Sequence, residues 1–428
     1  MTDSGRETVR QAAERVGRVR WGICALLFFA TTINYIDRQM ISVLKPTLQA
    51  EYAWTETDYA NIVFAFQLAY AIGYFIFGHM IDRLGARLGY SLAAGIWGLA
   101  AMATSAARDI MGFMAARFAL GLGESGNFPA GVKAVAEWFP KQERAFAIGI
   151  FNAGANIGAI LTPMLAPFLV YYFGWRAAFL VTGALVFIWL AVWWTVYRRP
   201  REKANLSAAE LAHIESDPAD TPGKVPWLSL LKHRQTWAYA VGKFIIDPIW
   251  WFFLFWLPSF FASQHGLDLM TFGPALVAIY IISDIGSVAG GWLSSALIKR
   301  GWSVNGGRKT AMLVCALCVP PVMFAPFVSS VWGAVLLIGL ATAAHQGFSA
   351  NLYTLPSDLF PRKAVGAVIG IGGTIGAIGG MFMAKFTGWV LDSTGSYVPM
   401  FVIAGSAYLV ALLVIHLLVP RLEPAPVD

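Results

Sequence analysis

The sequence predicts an all-α membrane protein with twelve transmembrane helices in two six-helix bundles. Three observations carry that prediction. Hydrophobic side chains make up 57% of the 428 residues and charged ones only 13%, against the roughly 25% charged share of soluble domains. Apolar runs of about 20 residues recur from end to end, each long enough to cross a hydrocarbon core of about 30 Å as a helix. The second half of the chain repeats the first.

Residues 1–20 are polar and rich in arginine, with no short apolar region or small-residue cleavage site behind them. No secretory signal peptide is expected, and the first span stays in the mature protein. Spans at 21–44, 58–79, 88–107, 110–138, 143–171 and 175–197 form an N-terminal bundle, 21–197. A polar, basic segment, 198–235, follows as a cytoplasmic linker; its part from 200 to 225, rich in Ala, Pro and charge, is expected to be a mobile surface segment. Spans at 236–262, 271–299, 310–329, 331–357, 364–391 and 398–419 form the C-terminal bundle, 236–419, and 420–428 is a tail.

The net charge of +7 does not point to nucleic acid, because the basic residues fall in alternate loops, the footprint of membrane orientation. Arg6, Arg10, Arg15, Arg18 and Arg20 precede the first span, Arg83 and Arg87 follow the second, and Lys141 and Arg144 follow the fourth. Arg198, Arg199, Arg201, Lys203, Lys224, Lys232 and Arg234 lie in the central segment, then come Lys299, Arg300, Arg308, Lys309, Arg362 and Lys363. Both termini are expected in the cytoplasm, with lipid as the surrounding partner. The three cysteines, Cys24, Cys315 and Cys318, lie within spans. Cys315 and Cys318 have CxxC spacing, but no further Cys or His stands nearby to complete a zinc site, so no metal is expected.

Shifting the chain by 221 positions lays EWFPKQERAFAIGIFNAGANIGAI, from Glu137, over DLFPRKAVGAVIGIGGTIGAIGG, from Asp358. Six spans repeated in the same orientation imply two bundles related by an axis along the membrane normal, with a substrate site in the cleft between them and access that alternates as the halves rock. Glycine-rich stretches such as GIGGTIGAIGG, 370–380, serve either tight helix packing or the bending that rocking needs.

An ionisable residue at the centre of a span costs about 2.5 to 3.5 kcal/mol on insertion scales, so it normally faces a cavity or a partner. INYIDRQMIS, 33–42, places Asn34, Asp37 and Arg38 inside the first span. At 100° per residue Thr31, Asn34, Tyr35, Arg38 and Ser42 form a polar stripe facing the cleft, with Asp37 on its flank. In RFALGLGESGNFPAG of the fourth span, Arg117 and Glu124 are seven residues apart and share a face. Two carboxylates and two guanidiniums in one half suit a proton relay, because a carboxylate beside a cation ionises and one parted from it takes up a proton. The guanidinium fork of Arg38 also suits an anionic substrate.

In the other half, KFIIDPIWWFFLFWLP puts Lys243 and Asp247 one turn apart, ahead of Pro248, Trp250 and Trp251. His345, Gln346 and Asn351 give the tenth span a polar stretch, and Thr374 lies in the eleventh. Ligand hydroxyls need such amide, acid and imidazole partners, and sugar rings offer apolar faces to aromatics. The tryptophans suit either a pocket wall or interfacial anchoring, and His345 either ligand contact or helix linking.

The segment GHMIDRLGAR, Gly78 to Arg87, is similar to the GxxxDRxGxR signature of the major facilitator superfamily. The resemblance implies that fold for the whole chain, with Gly78, Asp82, Arg83, Gly85 and Arg87 in a cytoplasmic latch between the halves. NYIDR together with RFALGLGES resembles the anion:cation symporter family, whose bacterial members import sugar acids with protons. It implies that Arg38 holds the substrate carboxylate, that Asp37 and Glu124 take up protons, that Arg117 pairs with them, and that Tyr35 and Tyr70 line the pocket. KFIIDPIWWFFLFWLPSF and HQGFSANLYTLPSDLFP look like the hexuronate transporters. Where galactonate-type relatives carry a glutamine in the fifth span, the nearest amide here is Asn156.

The implied function is proton-coupled symport of a monoanionic sugar acid into bacteria across the inner membrane. No cofactor beyond the coupling proton is expected, and the chain is expected to act as a monomer. A drug antiporter is disfavoured because GANIGAILTP, from Gly154, departs from GxxxGPxxGG. An organophosphate antiporter is the nearer rival, although Asp37, Glu124 and Asp247 would repel a dianion; a related aldonate or aldarate carrier is another. No HExxH or suitably placed GxSxG supports an enzyme.

Overall fold

The computed structural model describes residues 17–216 and 226–426, apart from the side chains of Asp82, Lys141, Gln142, Ala145, Trp227, Arg362 and Lys363. Backbone groups in lipid must find partners within their own segment, which leaves helices as the solution for apolar runs of this length. The N-terminal bundle contains α1 (Val19–Tyr52), α2 (Glu56–Thr104), α3 (Ile110–Glu124), α4 (Asn127–Trp138), α5 (Lys141–Phe173) and α6 (Trp175–Val196). Short α7 (Ala208–Ile214) and α8 (Trp227–Leu230) follow. The C-terminal bundle contains α9 (Arg234–His265), α10 (Gly273–Lys299), α11 (Val304–Cys318), α12 (Val331–Leu352), α13 (Leu355–Leu359), α14 (Arg362–Thr394) and α15 (Val398–Leu418).

Ten helical segments among the described residues are long and apolar enough to cross a membrane by themselves. The other two crossings are the second part of α2, which carries Arg87, and the α3–α4 pair, broken at Ser125 and Gly126. The expected loop between the second and third spans is instead a corner inside α2. Gly85 takes φ +81° there, a conformation that side chains with a Cβ rarely adopt. The ninth and tenth spans are likewise interrupted, the ninth by a 3₁₀ stretch at Pro320–Phe327 where consecutive prolines remove amide donors.

The repeat read from the sequence has a structural counterpart. Helices α5 and α14 are both 33 residues long, each preceded by a proline in extended conformation, Pro140 or Pro361, and followed by a glycine with positive φ, Gly174 or Gly395. Small residues bring helices close within each half. Gly286 of α10 is so near the Ala343 backbone of α12 that an added Cβ would lie 2.3 Å from it.

The segment expected to be mobile is anchored over its first part. Arg18 offers no side-chain cap to α1. The buried Glu210 carboxylate of α7 accepts from the backbone N–H of Val19 at 3.3 Å and of Arg20 at 3.1 Å, supplying partners for amides that a helix start leaves unpaired. The Arg20 guanidinium then bridges Glu210 and Glu143, and His213 joins Glu143 at 3.0 Å. Residues 217–225 lie outside the described residues.

The halves meet at the end away from the chain termini. Asp392, at the end of α14, accepts from the backbone N–H of Glu56 at 2.8 Å and Thr57 at 2.7 Å, capping the start of α2. Lys385 bonds Asn61, Tyr59 donates to the Phe255 carbonyl at 3.0 Å, and Gln39 donates to Tyr280 Oη at 2.9 Å. Lys45 is buried beneath this seam, paired with Glu56 at 2.5 Å. At the termini end, no hydrogen bond or ion pair among the described residues joins segment 78–87 to the C-terminal bundle. The cleft therefore opens towards the end that carries the termini.

Candidate functional site

Arg38 lies midway along α1, and its position on the polar stripe turns it into the cleft. Its Nε donates to Glu124 Oε2 at 2.9 Å, and Nη2 donates to Asn34 Oδ1 at 3.2 Å. Four aromatic rings surround the guanidinium: Tyr35 at 4.6 Å, Tyr70 at 4.8 Å, Phe66 at 5.5 Å and Trp251 at 5.6 Å from centroid to Cζ. The first three come from the N-terminal bundle and Trp251 from the C-terminal one. Both halves thus build the cation's surroundings. An arginine over aromatic faces gains from each ring quadrupole, and that gain grows as water is excluded.

Asp37 points the other way, as its place on the flank of the stripe requires. Trp97 Nε1 donates to its Oδ2 at 2.8 Å, and the Thr182 hydroxyl is a second neighbour. Arg117 reaches α1 through the backbone, Nη1 donating to the Asp37 carbonyl at 3.1 Å. The expected pairing of Arg117 with a carboxylate is not made in this conformation: Glu124 is taken by Arg38, and Asp37 by Trp97. Asp37 Oδ1, Glu124 Oε1 and Arg117 Nε and Nη2 are buried without a hydrogen-bond partner among the described residues. Buried polar atoms normally find partners, so this concentration of unsatisfied ones marks a place where a proton or ligand group would be stabilised.

Across the cleft Lys243 pairs with Asp247 at 2.8 Å, as one-turn spacing predicts, and donates to Tyr353 Oη at 2.7 Å. A Cβ on Gly376 of α14 would lie 2.3 Å from Asp247 Oδ2, so only glycine leaves room for that carboxylate. Thr374 is exposed. It shares a stripe with Lys385 and Gly388, eleven and fourteen residues on, which face α2. Gln346 is half-buried.

Two expected ligand groups are turned to other work here. His345 is buried, stacked on Trp250 with ring centroids 5.1 Å apart and bonded to Tyr408 Oη at 2.6 Å, so it links α12 to α9 and α15. Asn351 donates to the carbonyls of Gly290 at 3.0 Å and Gly347 at 2.9 Å, fastening α12 to α10. Among the described residues, no contact of the latch expected between the halves is made. Arg87 stacks on Trp194 at 4.3 Å and holds α2 to α6, while Arg83 is exposed. Gly78 has open space where a side chain would be, and Gly85 forms the corner. The Asp82 side chain lies outside the described residues.

Sequence reading overlooked Phe66, Gln67, Trp97 and Tyr353. Gln67 is buried near Gly380 of α14, and among the described residues neither of its side-chain heteroatoms has a hydrogen-bond partner. An amide among apolar neighbours was a signal of the kind used for Asn34; the aromatic positions gave none.

Two charged helices facing each other across a cleft that both halves line is the arrangement of an alternating-access carrier, and residues 27–381 match the Major Facilitator Superfamily. The chain belongs to the Major Facilitator Superfamily. It is a multi-pass membrane transporter. Among curated superfamily members it is similar to the hexuronate transporter of Escherichia coli (strain K12), 31% identical over 409 residues and 94% of each chain. It is also similar to the galacturonate transporter of Dickeya chrysanthemi, 31% identical over 296 residues, 68% of this chain and 86% of that one. The superfamily fold recurs in a solved bacterial homologue of the human lysosomal transporter Spinster in an inward-facing, occupied conformation. That structure has TM-score 0.73 and 17% identity, covering 94% of this chain and 96% of the other.

Proposed function

We propose that the chain is a proton-coupled symporter that imports a monoanionic sugar acid, most directly a hexuronate, across the bacterial inner membrane. The observation that carries the reading is the buried Arg38–Glu124 pair inside an aromatic box. A carboxylate of the protein already occupies the guanidinium that would bind a substrate carboxylate. Substrate entering from outside takes Arg38, and Glu124, left buried without its cation, is neutralised by a proton. Release reverses the exchange. The basic loops on the side of the termini support a cytoplasmic position for that side, and with it an inward-facing reading of the conformation described.

Trp251 and the tyrosines offer flat apolar faces to a sugar ring, and the relatives named for hexuronate and galacturonate transport support that ligand class. The internal carboxylates Glu124 and Asp247 disfavour phosphate dianions. A thermal-shift screen of the purified protein against uronates, aldonates, aldarates and phosphates tests the reading, since a ligand that binds only the folded state stabilises it. Uronates should raise the midpoint most. Stabilisation by phosphates alone would overturn the proposal.

A further inference from the structure

Gln67 of α2 is 1% exposed, and both heteroatoms of its amide lack a partner among the described residues. Other amides in the spans are engaged or less deeply placed. Asn34 accepts from Arg38, Gln39 donates to Tyr280, Asn351 donates to two carbonyls, and Asn156 of α5 is half-buried. A buried amide left without partners is destabilising, so its presence in a folded chain points to a polar group that it meets at another stage.

The neighbours of Gln67 fix where it points. A Cβ built on Gly380 of α14 would lie 3.1 Å from Gln67 Nε2 and 2.9 Å from Trp251 Cδ1, so the amide and the indole edge converge on one point beside α14. Trp251 is the C-terminal wall of the box around Arg38, 5.6 Å from its Cζ. Along α2, Gln67, Tyr70 and Tyr74 recur at helical spacing and share a face. Tyr70 of that face stands 4.8 Å from the same Cζ. Further towards the sealed end the face continues into Ala60 and the Glu56 carbonyl, which close against Gly388 of α14. Gln67 therefore sits where the seam between α2 and α14 gives way to the cleft, among the mutually packed rings of Phe66, Trp251 and Phe255. An indole offers a flat apolar face, and a carboxamide at its edge can accept from one hydroxyl and donate to another.

Resting on the sugar-acid reading above, we propose that Gln67 binds a hydroxyl of the transported sugar acid beside Trp251, with glycine at position 380 leaving the space. Arg38 then selects the carboxylate and Gln67 the hydroxylated ring. The contact is neutral, so it adds specificity without adding charge to the cleft.

The test is equilibrium binding by the purified full-length protein, comparing wild type, Gln67→Leu and Gln67→Asn on glucuronate and its monodeoxy analogues. Gln67→Leu should weaken glucuronate about tenfold. One monodeoxy analogue should bind wild type more weakly than glucuronate by a similar factor, yet bind Gln67→Leu as well as glucuronate does, the signature of a direct pair. Gln67→Asn keeps the amide and shortens its reach, so it should weaken glucuronate in the same direction, and it carries the test should Gln67→Leu fail to fold. The thermal midpoint of the empty protein separates a ligand group from a packing group: replacing an unpartnered amide by leucine should hold or raise it. A lowered midpoint with the same loss of affinity for every analogue would make Gln67 structural and overturn the subsite. Wild type that binds no sugar acid would overturn the sugar-acid reading as well, whereas glucuronate bound equally by wild type and the folded variants sinks only the subsite.

Discussion

Arg38 Nε and Glu124 Oε2 stand 2.9 Å apart, with both side chains buried and the two residues 86 positions apart in sequence. The pair links α1 to α3 at the point where four aromatic rings from both halves converge. Under the proposed function its consequence is competition: a substrate carboxylate and Glu124 would take the same donors.

Arg38→Lys keeps the charge and loses the planar fork. A point charge on a flexible stem cannot hold a carboxylate through two parallel bonds. With charged hydrogen bonds contributing about 1.5 to 3 kcal/mol each, affinity for sugar acid should fall about 10- to 100-fold. Titration calorimetry on the purified variant measures it. Wild-type affinity would remove Arg38 from the substrate site.

The contact between Asp392 and the first turn of α2 exists only while the halves are closed at that end. Asp392→Ala removes the acceptor for two backbone amides. Losing about 1 to 2 kcal/mol from one state shifts its population about five- to thirtyfold. Accessibility labelling at each end of the cleft should show the variant opening at the end away from the termini, with little change in intrinsic affinity. An unchanged labelling pattern would exclude Asp392 as a gate.

On the termini side, the hydrogen bond from Arg20 holds the Glu143 carboxyl below the usual glutamate range, against a smaller opposing effect of burial. A depressed folded-state value means that the clasp's stabilisation is present above the ordinary glutamate value of about 4.3. It is lost as pH falls through the lower folded-state value. Thermal midpoints of wild type should therefore drop towards pH 3, and Glu143→Gln should flatten that acid limb. Equal slopes in the two proteins would contradict the role given to this pair.

The fold was legible because lipid leaves few solutions for apolar runs of this length, and the repeat was legible because Pro140 and Pro361, with Gly174 and Gly395, mark the same helix ends. Arg38, Glu124, Lys243 and Asp247 could be found since a charge within a span demands compensation. Who compensates whom was not legible. Arg117 and Glu124 share a helix face, yet Glu124 turns to Arg38 on another helix, a choice set by rotation and depth that spacing does not encode. Trp97 holds Asp37 from a helix whose aromatic residues look like any packing group. His345 suited either ligand contact or helix linking, and spacing could not show that its ring bonds Tyr408 on another helix.

Under the proposed function, Glu124 exchanges Arg38 for a proton when substrate binds. Glu124→Gln mimics the protonated site permanently and leaves Arg38 free for the ligand. Counterflow and proton-driven uptake of labelled glucuronate, measured side by side in proteoliposomes, test it most directly. Substrate entry as the anion alone is opposed by about 2.3 kcal/mol per 100 mV of inside-negative potential, so accumulation needs the coupling proton. Glu124→Gln should exchange substrate across the membrane as readily as wild type and should not concentrate it against a gradient. Wild-type accumulation by this variant would contradict the account and place the coupling proton on another group, with Asp37 the first to examine.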